Sequence, residues 1–362
     1  MICPRKILCR PAALALVLLL AVAFGMVIPA ATQSPQTPQS PAPPTLFGTP
    51  PQGPQGPGIR TTVELVVVPV TVKDANGALV SDLRQEEFRV LEDGVEQHIS
   101  LFSVEAFPLS AVVLVDDDLK TKPSASVKSS LMAVAGGFSA SDEVALARFD
   151  AFYTPVLDFT ADNDQLMTEL KRMDLNSTIP GVGSEAMTAG PTINGHEAPG
   201  APTVAQKPLK AGESTKHLND AIHAAAELLR TRGRDHRKVI VVISDGVNAK
   251  NNTFSYDDTL KLLLSADISV YAVGVDAAVI NRGTTAMSRY AHATGGDVYY
   301  AAHPQELARF YAQVSEQARH QYTIGYNPTT DRTKDFHSIE VRIRRPGLTL
   351  LARDGYYRIP RP

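Results

Sequence analysis

Acidic side chains follow two apolar runs of this chain. The run 238–243 leads through a serine into Asp245, and the run 110–115 leads directly into Asp116, Asp117 and Asp118. Short apolar runs that end in turn residues are typical of buried parallel strands. Because ligands bind beyond the carboxyl ends of such strands, the pattern predicts carboxylates converging on one crevice. Carboxylate oxygens in this arrangement suit a hard cation such as Mg²⁺ or Ca²⁺.

Recognisable catalytic motifs are missing from the sequence. It contains no nucleophile elbow, no phosphate-binding loop and no zinc-protease helix, since His196-Glu197 is followed by Ala198-Pro199. A hydrolase built on paired aspartates and a metal would need a holder for the activated water, and none is evident. We therefore expect a binding protein and not an enzyme, with no catalytic residue and no organic cofactor.

The overall composition is that of an ordinary folded protein. The 362 residues are 44% hydrophobic and carry a formal net charge of −3, enough chain for about two domains. No face rich in lysine and arginine stands out, as phosphate binding would require, so nucleic acid is excluded as a partner.

The N-terminus has the pattern of an export signal. Basic residues within the first ten positions precede an uncharged stretch, 13–31, that ends in Ala30 and Ala31. Residues 1–31 are expected to be either a cleaved signal peptide or an uncleaved anchor, the only expected membrane contact. The protein is thus predicted to be secreted, periplasmic or associated with the cell envelope. Both cysteines lie inside this segment, so a mature chain would have no disulfide or thiolate site.

The rest of the chain divides by composition. Residues 32–60 are rich in proline and glutamine and predict a disordered linker. Alternating apolar residues with turns at Asn76-Gly77 and Asp93-Gly94 predict an N-terminal β segment over 61–107. Similar short strands predict a C-terminal β segment over 321–358, and we expect the two segments to form one small β domain.

Between these segments, residues 108–320 alternate strand-like and helix-like stretches. Helices are predicted at 126–138, 162–172, 218–230, 256–266, 284–293 and 305–318, and strands at 144–149, 239–244 and 268–274. This alternation predicts an α/β fold with a doubly wound, mostly parallel sheet. A stretch rich in small residues, 176–212, predicts a flexible insertion.

The chain resembles the von Willebrand factor A-type family. The resemblance rests on Ile243-Ser244-Asp245-Gly246 and, for the acidobacterial proteins related to that family, on the flanking runs 70–77, 88–94, 322–326 and 353–357. It covers roughly residues 61–358 and implies a Rossmann-like domain with a cation site at the top of the sheet. In the family, an Asp-x-Ser-x-Ser turn, a threonine from a second loop and an aspartate from a third build that site.

Carried over residue by residue, the resemblance implies a degenerate metal-ion-dependent adhesion site. Asp116 and Asp245 match the family's acids, Asp118 stands at the first serine, and Thr215 is the expected threonine, with Ser214 as the alternative. Lys120 stands at the second serine and cannot ligate a metal while charged. Its ammonium could instead lie between Asp116 and Asp245 and replace the ion.

These features imply an exported, non-enzymatic protein-binding or adhesion module. Its partner is expected to be an unidentified protein that presents an acidic side chain to the sheet-top face. The alternative is a metal-free structural or scaffolding protein of the cell envelope, in which the acidic crevice is only a salt-bridged remnant.

Overall fold

The computed structural model describes residues 65–173, 175, 192–193, 196–197, 216–329 and 334–358. The predicted signal segment and linker, and most of the predicted insertion 176–212, lie outside the described residues. The strands are β1 (Val66–Lys73), β2 (Phe88–Glu92), β3 (Val95–Gln97), β4 (Ile99–Ser103), β5 (Leu109–Asp116), β6 (Glu143–Phe149), β7 (Tyr153–Thr160), β8 (Thr192–Ile193), β9 (His196–Glu197), β10 (Arg237–Ser244), β11 (Ile268–Gly274), β12 (Val298–Tyr300), β13 (Tyr322–Tyr326), β14 (Phe336–Ile343), β15 (Thr349–Ala352) and β16 (Gly355–Tyr357).

The described helices lie almost entirely between β5 and β13. They are α1 (Thr121–Ser130), α2 (Met132–Ala135), α3 (Asn163–Arg172), α4 (Leu218–Arg230), α5 (Tyr256–Ser265), α6 (Ala277–Ile280), α7 (Ala286–Ala293) and α8 (Pro304–Arg319), and a short 3-10 turn spans Gln85–Glu87. Among the described residues, no helix has both the length and the apolar character needed to cross a membrane.

A six-stranded sheet forms the centre of the fold. Its strand order is β12-β11-β10-β5-β6-β7, and every neighbouring pair is parallel except β6 with the edge strand β7. All eight residues of β5 are buried, because helices cover both faces of a parallel sheet. The predicted fold class is therefore confirmed.

Alternate residues of β5 feed two separate hydrophobic cores. Val113 and Val115 pack on the side of α1, α3 and α8, whereas Val112 and Leu114 pack on the side of α4, α5 and α7. Successive side chains of a strand point to opposite faces of the sheet, so each apolar strand residue serves one layer of helices.

The strands of the two chain ends pair with each other in two further sheets. The sheet β15-β1-β13-β4 and the sheet β16-β14-β2-β3 each combine strands from before β5 and after α8, and they share one hydrophobic cluster. The turn Asp93-Gly94 joins β2 and β3 with both residues at positive φ, as the sequence predicts. The turn predicted at Asn76-Gly77 also forms, but among the described residues the strand pairing next to it is limited to one isolated β-bridge between Lys73 and Leu79.

Arg237, at the start of β10, joins the central sheet to the terminal strands. Its guanidinium donates to the side-chain oxygen of Gln321 at 2.6 Å and to Thr323 Oγ1 at 3.1 Å. Burial lowers the pKa of Arg237 to about 10. This attachment lies at the opposite end of β10 from Asp245, so the terminal strands are fixed at the amino end of that strand. The predicted domain boundaries stay predictions.

Candidate functional site at the carboxyl edge of the central sheet

Two aspartates lie side by side at the carboxyl edge of the central sheet. Asp116 is the last residue of β5, and Asp245 directly follows β10. The two strands are parallel neighbours, with Val115 opposite Ile243 in the register. The sequence therefore placed both acids at one edge correctly, because parallel strands of matched length end together.

Asp116 is fully buried and strongly hydrogen-bonded. Its Oδ2 accepts from Ser244 Oγ at 2.7 Å, and its Oδ1 accepts from the backbone N–H of Asp118 at 3.0 Å. Burial raises the pKa of Asp116 to about 6, although Lys216 and Ser244 act to lower it. A carboxylate in this position needs a nearby positive charge to stay ionised at neutral pH.

That positive charge is the ammonium of Lys216. Its Nζ donates to Asp245 Oδ2 at 2.8 Å and to Asp116 Oδ2 at 3.1 Å, and the lysine side chain is only 4% exposed. Burial by itself would lower the pKa of Lys216, but the two aspartates outweigh it and raise that pKa above its ordinary value. The lysine is therefore charged at neutral pH.

The backbone around Lys216 is fixed on both sides. The carbonyl of Lys216 accepts from the N–H of Ala249 at 2.7 Å, and the N–H of His217 donates to the carbonyl of Asp150 at 2.8 Å. One residue further, the N–H of Leu218 donates to Asn248 Oδ1 at 3.1 Å as α4 begins. Contacts from the segments after β10 and β6 thus determine where the lysine side chain starts.

Lys120 does not lie between the acids, which corrects the expectation that its ammonium would replace the metal. Its side chain is 78% exposed, and its Nζ lies 3.2 Å from Asp276 Oδ2. Asp276 follows β11 and has a φ of 44°, a strained value for a residue other than glycine. The β5–α1 loop therefore directs Lys120 away from the crevice and towards the neighbouring strand end.

Of the other predicted ligands, only Asp118 lies within the described residues. The side chain of Asp118 is exposed, although its backbone N–H contacts Asp116. Asp117 forms an ion pair with Arg148 at 3.0 Å. Thr215 and its alternative Ser214 lie outside the described residues.

A cavity opens beside this edge. It has a volume of about 510 Å³ and lies between the β5–α1 loop, the residues after β11 and β12, and the start of α8. Its lining includes Lys120, Lys122, Asp276 and His303. Val275, also in the lining, donates its N–H to the carbonyl of Ser244 at 3.0 Å, so one lining residue is bonded to the strand end that precedes Asp245.

Comparison with known protein families agrees with this architecture. Residues 204–313 match the model of the von Willebrand factor type A domain. Over these residues the chain is similar to that family. The match covers α4, β10, β11 and most of α8, the elements that hold Asp245 and Lys216, and it confirms the resemblance seen in the sequence. The closer likeness to acidobacterial proteins stays a prediction.

Several solved structures share part of the fold at low identity. The proximal thread matrix protein 1 of the mussel byssus is 11% identical, with 59% of this chain and 49% of that protein covered and a TM-score of 0.39. An aerotolerance-related membrane protein of Bacteroides fragilis is 14% identical, with 57% and 98% covered and a TM-score of 0.36. A von Willebrand factor type A protein of Catenulispora acidiphila is 10% identical, with 81% and 75% covered and a TM-score of 0.39. This chain thus spans about half of the mussel protein, and no curated protein matches it.

Von Willebrand factor type A domains often hold a divalent metal at the sheet top, and one structure of the mussel protein has a zinc-occupied site of this kind. In this chain the two acids that would supply the ligands both accept from the Lys216 ammonium. Within the described ranges, no group of three or more histidine, cysteine, aspartate or glutamate side chains could hold a metal ion. The described residues therefore do not fit a divalent cation between Asp116 and Asp245.

Sequence reasoning missed Lys216 and the role of Ser244. One signal was available, because the run from Thr215 to Asp220 holds one residue more than the family pattern. Lys216 lies within that run, immediately after the expected threonine. This chain therefore departs from the family's pattern at the second loop as well as at the first.

Proposed function

We propose that this protein is an exported, non-enzymatic von Willebrand factor type A module that binds an acidic side chain of a partner protein. The observation that carries the proposal is the cavity beside the sheet top. Two lysines, Lys120 and Lys122, line it and are exposed at its rim, against one lining carboxylate, Asp276. An acidic group that enters the cavity meets a net positive charge at a place where this fold family typically binds proteins.

The two buried aspartates are compatible with an acidic partner at the cavity, although they would not contact that partner themselves. Asp116 and Asp245 are almost completely removed from solvent, and Lys216 neutralises much of their charge. The buried acid pair therefore does not present two open carboxylates that would repel an acidic partner. Lys120, just before α1, and Lys122, in its first turn, remain as exposed positive charges in the cavity lining.

The test uses synthetic peptides because the partner is unidentified. A panel of fluorescent peptides with a central aspartate or glutamate is compared with a matched panel that carries asparagine or glutamine, by fluorescence anisotropy in the presence of chelator. We expect the acidic panel to contain binders that the amide panel lacks. The double variant Lys120→Gln/Lys122→Gln should weaken them by about 1 kcal/mol, roughly fivefold in Kd.

Lys128→Gln is the matched control, because Lys128 is exposed on the same helix, α1, but does not line the cavity. Its binding should equal that of the wild type. Equal binding of the acidic and amide panels, or an equal loss in the control variant, would contradict the proposed surface.

Export is tested separately by fractionating cells that express the full chain. The basic residues and the apolar stretch 13–31 predict that the protein leaves the cytoplasm. Mass spectrometry of the exported protein distinguishes a new N-terminus near Ala31 from an intact membrane anchor. A chain that stays in the cytoplasm with its N-terminus intact would contradict export.

A metal-free scaffolding protein of the cell envelope is the second candidate, and the buried triad of Lys216, Asp116 and Asp245 favours it. These three side chains are buried and out of reach of a partner, and removing one member of such a group is destabilising. A scaffold would show no acidic-peptide binders, while substitutions in the triad would still lower its melting temperature.

A further inference from the structure

The position between Asp116 and Asp245 has one occupant in this structure, the ammonium of Lys216. Nζ lies 3.1 Å from one carboxylate and 2.8 Å from the other, and the residue is 3% exposed. A surface lysine would keep its charge in water, so a fully buried ammonium between two acids indicates a specific structural role.

All four carboxylate oxygens of the two acids already accept hydrogen bonds. For Asp116, Oδ1 accepts from a backbone N–H and Oδ2 from both Ser244 and Lys216. For Asp245, Oδ1 accepts from the N–H of Val247 at 3.0 Å and Oδ2 from Lys216. A divalent cation would have to displace the ammonium from both acids and would be repelled by it at short range.

The ammonium cannot easily give up this position. The Lys216 carbonyl is held by the N–H of Ala249, and the next residue is held by Asp150. Little solvent reaches the ammonium, because the Lys216 side chain is only 4% exposed. An ammonium moved away from the acids without another partner would lose its ion pairs inside a low-dielectric environment.

We propose that Lys216 is a built-in substitute for the divalent cation, so that this domain folds and functions without metal. The substitution hides a latent site. With the ammonium removed, two carboxylates and the Ser244 hydroxyl remain at one point, and hard oxygen ligands of this kind bind Mg²⁺, Ca²⁺ and Mn²⁺. The inference goes beyond the proposed partner binding and holds whether or not the cavity binds acidic peptides, because its readout is metal binding.

The experiment measures Mn²⁺ binding to the full chain by electron paramagnetic resonance of the free ion, in wild type, Lys216→Ser and Lys216→Ser/Asp245→Asn. We expect no stoichiometric site in wild type. Lys216→Ser should gain one site per chain with at least roughly tenfold tighter binding than wild type, and the additional Asp245→Asn change should remove it. A folded Lys216→Ser protein that binds Mn²⁺ no better than wild type would overturn the latent site.

A second measurement covers the case in which Lys216→Ser does not fold. Melting temperatures of the wild-type chain are compared with Mg²⁺, Ca²⁺, Mn²⁺ and chelator. A ligand that binds only the folded state, at a free concentration of about 100 times its Kd, raises the melting temperature of the protein by about 5–10 °C. We expect equal melting temperatures under all four conditions. A metal-dependent rise in wild type that Asp245→Asn abolishes would show that metal displaces Lys216 and would overturn the proposal.

Discussion

Replacing Lys216 by methionine tests whether its ammonium is the charge that stabilises the two acids. Methionine keeps an unbranched side chain of similar length but leaves Asp116 and Asp245 buried without a cation. Removing one partner of a buried ion pair costs about 3–5 kcal/mol. The pKa of Asp116, raised by burial to about 6, lets that acid take up a proton once the ammonium is gone, so we expect the lower end, about 3 kcal/mol. For a domain of this size, that loss lowers the melting temperature by about 6–12 °C.

The assay is thermal unfolding of wild type and variants at pH 7.5 and constant salt, followed by circular dichroism. Lys120→Met is the matched control, because it makes the same chemical change at an ammonium whose side chain is 78% exposed and pairs with Asp276. An exposed pair contributes about 0–1 kcal/mol, so its melting temperature should fall by less than about 4 °C.

A third variant separates lost charge pairing from lost packing. Lys216→Met/Asp245→Asn removes one of the two unpaired acids as well, so it should recover part of the stability that Lys216→Met loses. If Lys216→Met and Lys120→Met lower the melting temperature equally, or if the double variant is less stable than Lys216→Met, the role assigned to the Lys216 ammonium is wrong.

Two further predictions concern the sheet that carries the site. Burial alone would raise the pKa of Glu143, but its bonds to Arg232 and a serine of β5 outweigh burial and lower that pKa. The ionised Glu143 therefore stabilises the folded protein above its ordinary pKa, and this contribution is lost as the pH falls through the lowered pKa. The stability advantage of wild type over Glu143→Gln should shrink when melting curves are taken from pH 7 towards pH 3, and a constant difference would contradict this. Gly246 has a φ of 75°, and an added Cβ would lie 2.7 Å from Thr285 Cγ2, whereas Gly77 has a similar φ of 80° and no atom within 4 Å. Gly77→Ala should cost about 1–2 kcal/mol from backbone strain alone, and Gly246→Ala should cost clearly more; equal losses in denaturant titrations would argue against the contact with Thr285.

Local sequence pattern predicted most of the central fold. The helix predicted at 218–230 matches α4, and the strand predicted at 268–274 matches β11. In these elements, the apolar period or the continuous apolar run is strong, and the structure buries the residues that the pattern selects.

The pattern was less informative where burial is partial. The edge strand β7 was not predicted, because none of its residues is fully buried and it lacks a clear alternation. The helix predicted at 126–138 begins earlier, at Thr121, and divides into α1 and α2 around Leu131. The observed helix includes Pro123 in its first turn, where a proline leaves no hydrogen bond unmade, because those N–H groups have no partner within the helix.

The terminal strands show how pairing depends on distant parts of the chain. Sequence alternation identified β1 as a strand, and the structure buries Val66, Val68, Val70 and Val72 on one face of it. Its partners are β13 and β15, more than two hundred residues away. A turn signal is local, whereas a strand partner is selected by the hydrophobic face that it completes.

For the candidate site, the sequence by itself determined that two acids would meet at the carboxyl edge of a parallel sheet, because apolar runs define the strands and each acid follows its strand directly. It also indicated that a lysine could replace the metal. Only the tertiary structure decided which lysine does so. Lys216 lies 100 residues from Asp116 and 29 from Asp245 in the chain, and long-range backbone contacts bring it to them, whereas Lys120, four residues from Asp116, is directed to Asp276. Nearness in sequence did not predict the ion pair, because the backbone of a loop sets the direction in which a lysine side chain extends.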